Sequence, residues 1–333
     1  MAETALRVEA AMDRALALAA RAGGRTSPNP MVGAVALDAL GGVLAEGFHS
    51  AAGEPHAEAA LLSESRRGGV DLRGATLVVN LEPCAHRGRT PPCAPRLVEA
   101  GFVRVVTAMR DPDPRVDGRG VQLLRSAGVD VQEGVREDAA RRLNEGFVHR
   151  VRSGRPFVHL KVAMLPDGIV HRGAGGPAEI SGPEARRRVH LWRHLAPAVL
   201  VGGATVRTDD PRLTVRELPA GTAVEPWQPR RVVLSARLDL SLESRALLPS
   251  LDGPPPLVIA QRDAPLVPEE ALRRRGVDVA RVRAAPGGVD LDEALDLLGA
   301  LGVSGVLVEG GPLLTDAFLA AGLAQRLSVF TAG

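Results

Sequence analysis

His56-Ala57-Glu58, Pro83-Cys84 and Cys93 gather one imidazole, two thiols and one carboxylate in a chain that has only two cysteines. One nitrogen and two sulfur ligands form a donor set suited to Zn²⁺. Three protein ligands leave the fourth tetrahedral position for water, which is the pattern of a catalytic site rather than a structural one. Zn²⁺ lowers the pKa of a bound water towards about 7, so a hydrolytic nucleophile becomes available at neutral pH. Glu58 is then free to move protons. Taken singly, His56 would be a core histidine and either cysteine a buried hydrophobe. Both cysteines in one loop, preceded by His-x-Glu, point to a catalytic metal.

His-x-Glu followed by Pro-Cys is the pattern of zinc deaminases, in which water attacks an amidine-like ring carbon and the glutamate carries protons to the leaving ammonia. Such enzymes commonly place two residues between the cysteines; here eight intervene, Ala85 to Pro92. Lys161 is the second residue singled out by type. It is the one lysine among 41 basic residues, the rest being arginine, and an ammonium can do proton chemistry that a guanidinium cannot. Glu309 with Gly310-Gly311, between an apolar strand and a helix, forms a candidate phosphate cradle. The polar stretch Thr205–Arg216 reads as a loop with two carboxylates and three arginines.

The elements that must position these residues alternate. Helices are expected over 8–22 (stripe Val8, Met12, Leu16, Ala19), 56–66, 93–100, 120–127 and 138–147. A hairpin is expected at 31–37 and 43–47, and strands at 76–80, 103–108 and 129–132. Residues 26–30 read as a loop. The basic stretch Arg150–Pro156 marks a boundary, giving domains 1–150 and 151–333. The second half is expected to hold strands at 157–163, 198–201, 232–235, 257–260, 305–309 and 326–330, with helices at 183–194, 268–275, 290–301 and 312–321. Both halves are layered α/β by this alternation.

Composition excludes several classes. A length of 333 residues suits two domains, and a net charge of +2 with eight aromatic residues (2 Trp, 6 Phe, 0 Tyr) opposes nucleic-acid binding and base stacking. Two cysteines do not make a disulfide framework. Met1–Thr4 has no basic n-region, no apolar h-region follows, and no long apolar run is present. The chain therefore reads as a cytosolic protein without a membrane span.

The segment Leu81-Glu82-Pro83-Cys84-Ala85-His86-Arg87-Gly88-Arg89-Thr90-Pro91-Pro92-Cys93 resembles the bifunctional riboflavin-biosynthesis deaminase/reductase family of RibD type. So do Thr26–Gly33, Ala52–Glu58, Asp111–Gly120 and Leu143–Phe147. In the second half the likeness rests on Arg155-Pro156, Lys161, Asp167-Gly168, the helix 182–193, the stretch 205–216 and Val308-Glu309-Gly310-Gly311-Pro312. The resemblance implies an N-terminal cytidine-deaminase-like three-layer α/β/α domain and a C-terminal dihydrofolate-reductase-like α/β domain. It implies deamination of a diaminopyrimidinone carrying a phosphoribosylamino group, then NADPH-dependent reduction of the ribosyl group to ribityl, in a homo-oligomer.

Carried over by position, the resemblance makes His56, Cys84 and Cys93 the zinc ligands and Glu58 the proton shuttle. Asn29, His86, Arg89 and Thr90 would line the deamination pocket. Lys161, Arg193, Leu213, Arg216 and Glu309 would contact the second substrate, with Arg193 and Arg216 at its phosphate and Lys161 supplying a proton. Ala163, Thr205, Asp209, Gly311, Pro312, Leu313, Leu314 and Thr315 would meet the cofactor. The chain departs from the family at Asp113, Leu165-Pro166, Pro177 and Glu179, and stops at Gly333 where the family continues. The departures after residue 164 predict a weakened reductase, down to a deaminase with a degenerate second half, whereas Asp113 carries no interpretation; the same motifs would also serve a related pyrimidine. An RNA-base editor is opposed by the charge, the scarce aromatics and the cysteine spacing, and a purely structural zinc site by the open ligand position and Glu58.

Overall fold

The computed structural model describes residues 2–85, 91–164, 182–219, 226–249 and 252–331. The chain forms two compact units, Met1–Ser153 and Gly154–Gly333. The division falls just after the expected boundary because a helix carries on to Ser153.

The first unit runs α1 (Ala2–Ala20), β1 (Gly33–Leu37), β2 (Val43–Phe48), α2 (Ala57–Arg67), β3 (Thr76–Leu81), α3 (Cys93–Glu99), β4 (Arg104–Met109), α4 (Arg119–Ser126), β5 (Asp130–Gln132), α5 (Glu137–Leu143) and α6 (Glu145–Ser153). The sheet order is β2-β1-β3-β4-β5. β1 is antiparallel to both its neighbours, whereas β3, β4 and β5 are parallel.

Two glycines reveal the layers. A Cβ at Gly33 would stand 2.1 Å from the Ala15 carbonyl of α1, and a Cβ at Gly47 would stand 2.4 Å from the Leu61 amide of α2. Gly33 lies opposite Phe48, and Gly47 opposite Ala34, so the two glycines face opposite sides of the pleat. Helices α1 and α2 therefore cover opposite faces, and the bare glycines let both backbones close onto the sheet. Burial on both faces explains why Ala34-Val35-Ala36 of β1 and Leu77-Val78-Val79 of β3 are each unbroken apolar runs.

The second unit runs β6 (Phe157–Met164), α7 (Pro183–Leu195), β7 (Ala198–Gly202), α8 (Gly203–Asp209), β8 (Arg230–Leu234), β9 (Leu257–Gln261), α9 (Leu266–Arg274), β10 (Asp278–Val282), the short pair β11 (Ala284–Ala285) and β12 (Gly288–Val289), α10 (Leu291–Ala300), β13 (Gly305–Val308), α11 (Pro312–Ala320) and β14 (Arg326–Thr331). The seven-stranded sheet has the order β10-β9-β8-β7-β13-β6-β14. Every pairing in it is parallel. The C-terminal ends of β7, β13 and β6 therefore open on one side, where ligands bind in open parallel sheets.

Several sequence expectations shift. The single helix expected over 138–147 is two, because Asn144 leaves the helical conformation and spends its side chain on Met31. The stretch 205–216 is not all loop: its first turn and a half belongs to α8. Strand β10 escaped the sequence reading because Asp278 and Arg281 interrupt its apolar pattern.

Candidate active sites

His56 is the residue that caps α2, and its extended backbone frees its ring from the helix. Glu58 lies in the first turn, 4% exposed. The approach of a helix end thus brings two residues, which a helix would splay apart, onto one spot. Cys84 follows β3, and Cys93 opens α3, buried. The Cys84 and Cys93 sulfurs stand 3.7 and 3.6 Å from His56 Nδ1. A tetrahedral zinc with Zn–S about 2.3 Å and Zn–N about 2.0 Å separates such atoms by about 3.5 Å. The described residues therefore fit that ion, and all three ligand atoms lie within 4.8 Å of one another.

The electrostatics agree with metal ligation. The Cys93 amide donates to Cys84 Sγ at 3.3 Å, so the start of α3 faces a sulfur with its dipole. Cys84 is held down to about 4, first by a hydrogen bond from Cys93 and also by His56. Cys93 is pushed up, first by that same bond and then by burial. Two touching thiols cannot both ionise without a cation between them. Burial lifts the Glu58 carboxyl to about 7, with the Cys84 thiolate adding to the rise. A cation at the three ligands would draw it back.

Four residues that support this site carry no role in the sequence reading. His49 is 2% exposed. Its Nδ1 donates to the Pro55 carbonyl at 2.9 Å, so Nε2 accepts from Asn29 Nδ2 at 3.1 Å. The bond fixes the Asn29 amide and leaves its oxygen for another partner. Asn80 accepts from the Gly33 amide and donates to the Met31 carbonyl. Asn144 accepts from the Met31 amide and donates to the same carbonyl. The two asparagines thus pin the chain just after Asn29. Glu82 is buried and accepts from four backbone amides, those of Asp111, Gly118, Gly120 and Val121. It ties the 111–121 segment to the strand end that carries Cys84. Asp113 caps its own turn by accepting from the Arg115 amide and guanidinium. His86, Arg89 and Thr90 lie outside the described residues.

In the second unit Glu309 follows β13, one place past the pair Val308–Leu160, and so stands beside Lys161. Glu309 grips Arg193 of α7 through two bonds, Nε–Oε1 at 2.6 Å and Nη2–Oε2 at 2.8 Å, with side chains only 9% and 12% exposed. Burial pushes the Glu309 carboxyl up, but Arg193, Lys161 and His190 outweigh it and hold the group below its ordinary range. Lys161 Nζ lies 5.9 Å from the Phe330 ring centroid, and Phe330 packs on Trp192. The aromatic-poor chain thus gathers two of its eight aromatic residues here.

Two expectations change. Arg193 does not offer an open fork to a phosphate, because its guanidinium is taken by Glu309 and by the Thr214 carbonyl at 3.0 Å. The Leu213 side chain is 2% exposed within the apolar cluster of Val199, Val201 and Leu238, so any substrate contact there falls to its backbone. Arg216 is exposed and has no carboxylate partner among the described residues.

Of the expected cofactor residues, Thr205 and those of 311–315 meet at one place. Thr205 Oγ1 accepts from the Gly311 amide at 3.3 Å, joining α8 to the start of α11. Pro312 opens α11, and the amides of Leu313 and Leu314 precede the helix's first internal bond, which runs from Thr315 N to Gly311 O. The Leu313 side chain is 81% exposed, whereas Leu314 packs on the core. The Thr315 hydroxyl is buried with no partner among the described residues. Open amides and an orphaned hydroxyl fit an anionic ligand. Ala163 lies on β6 opposite Phe330. Asp209 closes α8, and among the described residues no hydrogen bond or ion pair joins it to this junction. Leu165, Pro166, Pro177 and Glu179 lie outside the described residues.

Known proteins share both sites' scaffolds. Residues 7–109 match the cytidine and deoxycytidylate deaminase zinc-binding region, and residues 156–333 match the RibD C-terminal domain. The chain is 40% identical to the riboflavin biosynthesis protein RibD of Aquifex aeolicus over 96% of its own length and 85% of that protein. Its identity to the RibD of Escherichia coli is also 40%, covering 96% and 86%. The solved RibD of Acinetobacter baumannii superposes with a TM-score of 0.82 at 36% identity, covering 98% of this chain and 87% of that one. A diaminohydroxyphosphoribosylaminopyrimidine deaminase/5-amino-6-(5-phosphoribosylamino)uracil reductase from Thermotoga maritima gives 0.83 at the same identity. No helix among the described residues is long and apolar enough to cross a membrane. A deaminase domain and a reductase domain in one chain, with RibD relatives at 40% identity covered over more than four fifths of their length, place this protein in the RibD family of riboflavin biosynthesis.

Proposed function

We propose that the first unit uses zinc to deaminate 2,5-diamino-6-(5-phosphoribosylamino)pyrimidin-4-one, and that the second then reduces the ribosyl group to ribityl with NADPH. The observation that carries the reading is the His56–Cys84–Cys93 triangle with Glu58 buried at its edge. His56, Cys84 and Cys93 would hold Zn²⁺, which supplies an acidified water at neutral pH. Asn29, oriented by His49, positions the pyrimidine. Glu58 takes a proton from the attacking water and gives it to the departing amino group. The carbon–nitrogen bond breaks and ammonia leaves.

In the second unit Thr205, Gly311 and the first turn of α11 would hold NADPH, the hydride source. Lys161 supplies a proton to the ribosyl oxygen as the ring opens. Glu309 keeps Lys161 and Arg193 in place by charge. Arg216 meets the phosphate through an exposed fork, and a second copy of the chain completes the oligomer.

Removing zinc separates the two chemistries. Treated with a zinc chelator, the protein is expected to lose ammonia release to background. It should still oxidise NADPH when given 5-amino-6-(5-phosphoribosylamino)uracil. Ammonia release that survives verified loss of zinc contradicts the reading of the first unit. Absence of NADPH oxidation before any treatment contradicts that of the second.

A further inference from the structure

We propose that His190 is a positioning residue of the reduction site, holding the backbone of Arg216 so that its guanidinium is presented to the anionic group of the substrate. The proposal rests on the reading of the second unit as a reductase of a phosphorylated substrate.

The segment 213–217 belongs to no helix or strand, and Leu213 opens it in the left-handed region at φ 56°. Leu213 and Val215 are buried, whereas Thr214 is half-buried and Arg216 exposed. Buried backbone in a loop must find partners for its polar groups. Gln228 serves Val215, accepting from its amide and donating to its carbonyl, both at 2.9 Å. Helix α7 serves the rest. His190 Nδ1 accepts from the amides of Arg216 at 2.9 Å and of Glu217 at 2.8 Å. Arg193, three residues on and on the same helix face, donates to the Thr214 carbonyl. The Arg216 guanidinium is braced from its own side, with Nη1 donating to Thr214 Oγ1 at 2.9 Å.

Two amides converging on one nitrogen require that nitrogen to be unprotonated. His190 is 7% exposed. Burial, then Arg193 and Arg216, press its pKa down to about 4, and Glu217 and Glu309 oppose them only in part. At neutral pH the lone pair is therefore available. The charges around Arg216 are mostly positive, with Glu217 alone opposing them. Its own pKa is lowered, first by burial and then by Arg193 and Arg212. Glu309 neutralises Arg193, and Asp210 neutralises Arg245. An anion beside Arg216 would relieve the remaining repulsion. Helix α7 thus does two jobs on one face: Arg193 reaches Glu309 beside Lys161, and His190 sets where Arg216 stands.

The test compares H190N, H190Q and H190A, because an asparagine oxygen can replace Nδ1 and a glutamine oxygen sits where Nε2 was. NADPH oxidation is measured on 5-amino-6-(5-phosphoribosylamino)uracil and on its dephosphorylated form, with urea unfolding of each variant as a check that the second unit is folded. H190A and H190Q are expected to raise KM for the phosphorylated substrate by about tenfold with kcat little changed. H190N should stay within about threefold of wild type. With the dephosphorylated substrate all four proteins should match. Equal losses in H190N and H190A, or equal losses on both substrates, overturn the proposal. If H190A does not fold, the Asn/Gln pair makes the same comparison. R216A separates the two levels of the argument. If R216A keeps the preference for phosphate, the assignment of Arg216 fails and the positioning role falls with it. If R216A loses that preference and H190A keeps it, the positioning role alone fails.

Discussion

Glu58→Gln should lower ammonia release by about 10³-fold, within the span that general acid–base groups contribute, and leave zinc content at wild-type level. The amide keeps the volume of the carboxyl in a site where Glu58 is only 4% exposed. It keeps a hydrogen-bonding oxygen beside Cys93 but cannot accept the water's proton and pass it on. His56, Cys84 and Cys93 are untouched, so metal binding and the fold of the first unit survive. The second unit carries its own core and should oxidise NADPH at the wild-type rate on the deaminated substrate. Zinc measured on the same sample as ammonia release decides the matter. A variant that keeps more than a tenth of the activity removes Glu58 from the chemistry. One that loses zinc together with activity makes Glu58 a ligand instead.

Glu309→Ala should abolish reduction and destabilise the second unit by about 3–5 kcal/mol, the usual result of leaving one half of a buried ion pair alone. Arg193 would lose both carboxylate bonds while remaining buried, and Lys161 its neighbouring negative charge. Replacing both partners by apolar residues, Glu309→Leu with Arg193→Met, should recover much of the stability and none of the reduction. That contrast separates fold from chemistry. The pH dependence has a definite sign. The Glu309 carboxyl titrates lower in the folded chain than its ordinary value, so its stabilisation is full above the ordinary carboxylate range. It is lost as pH falls through the depressed folded value. Urea unfolding at neutral pH and at acid pH checks this: the gap between wild type and E309A should shrink in acid.

The zinc site was legible in the sequence because its residues are rare types in fixed spacing. Two cysteines and His-x-Glu carry their chemistry in their identities. The resemblance then supplied the wider pocket. The supports were not legible. Asn80, Glu82 and Asn144 act through backbone groups distant in sequence, and His49 through the Asn29 side chain; no local pattern distinguishes a buried asparagine that clamps Met31 from one in a turn. The strands of both sheets were legible wherever both faces are buried, and β10, whose apolar pattern is interrupted by Asp278 and Arg281, was not. Arg193 shows a different limit. Its position in the motif pointed to phosphate, but only the fold reveals that Glu309 lies close enough to claim it. Leu213 is similar: a leucine in a polar loop becomes a core residue because Val199 and Val201 lie beneath it.

The central claim is that one chain performs two successive steps on one substrate. Ammonia release and NADPH oxidation should be followed together, with zinc-loaded protein and the diaminopyrimidinone phosphoribosyl substrate. Ammonia is expected to appear first, with NADPH consumption following after a lag and approaching one equivalent per ammonia. Ammonia without NADPH loss would contradict the assignment of the second unit. No ammonia with zinc bound would contradict the account as a whole.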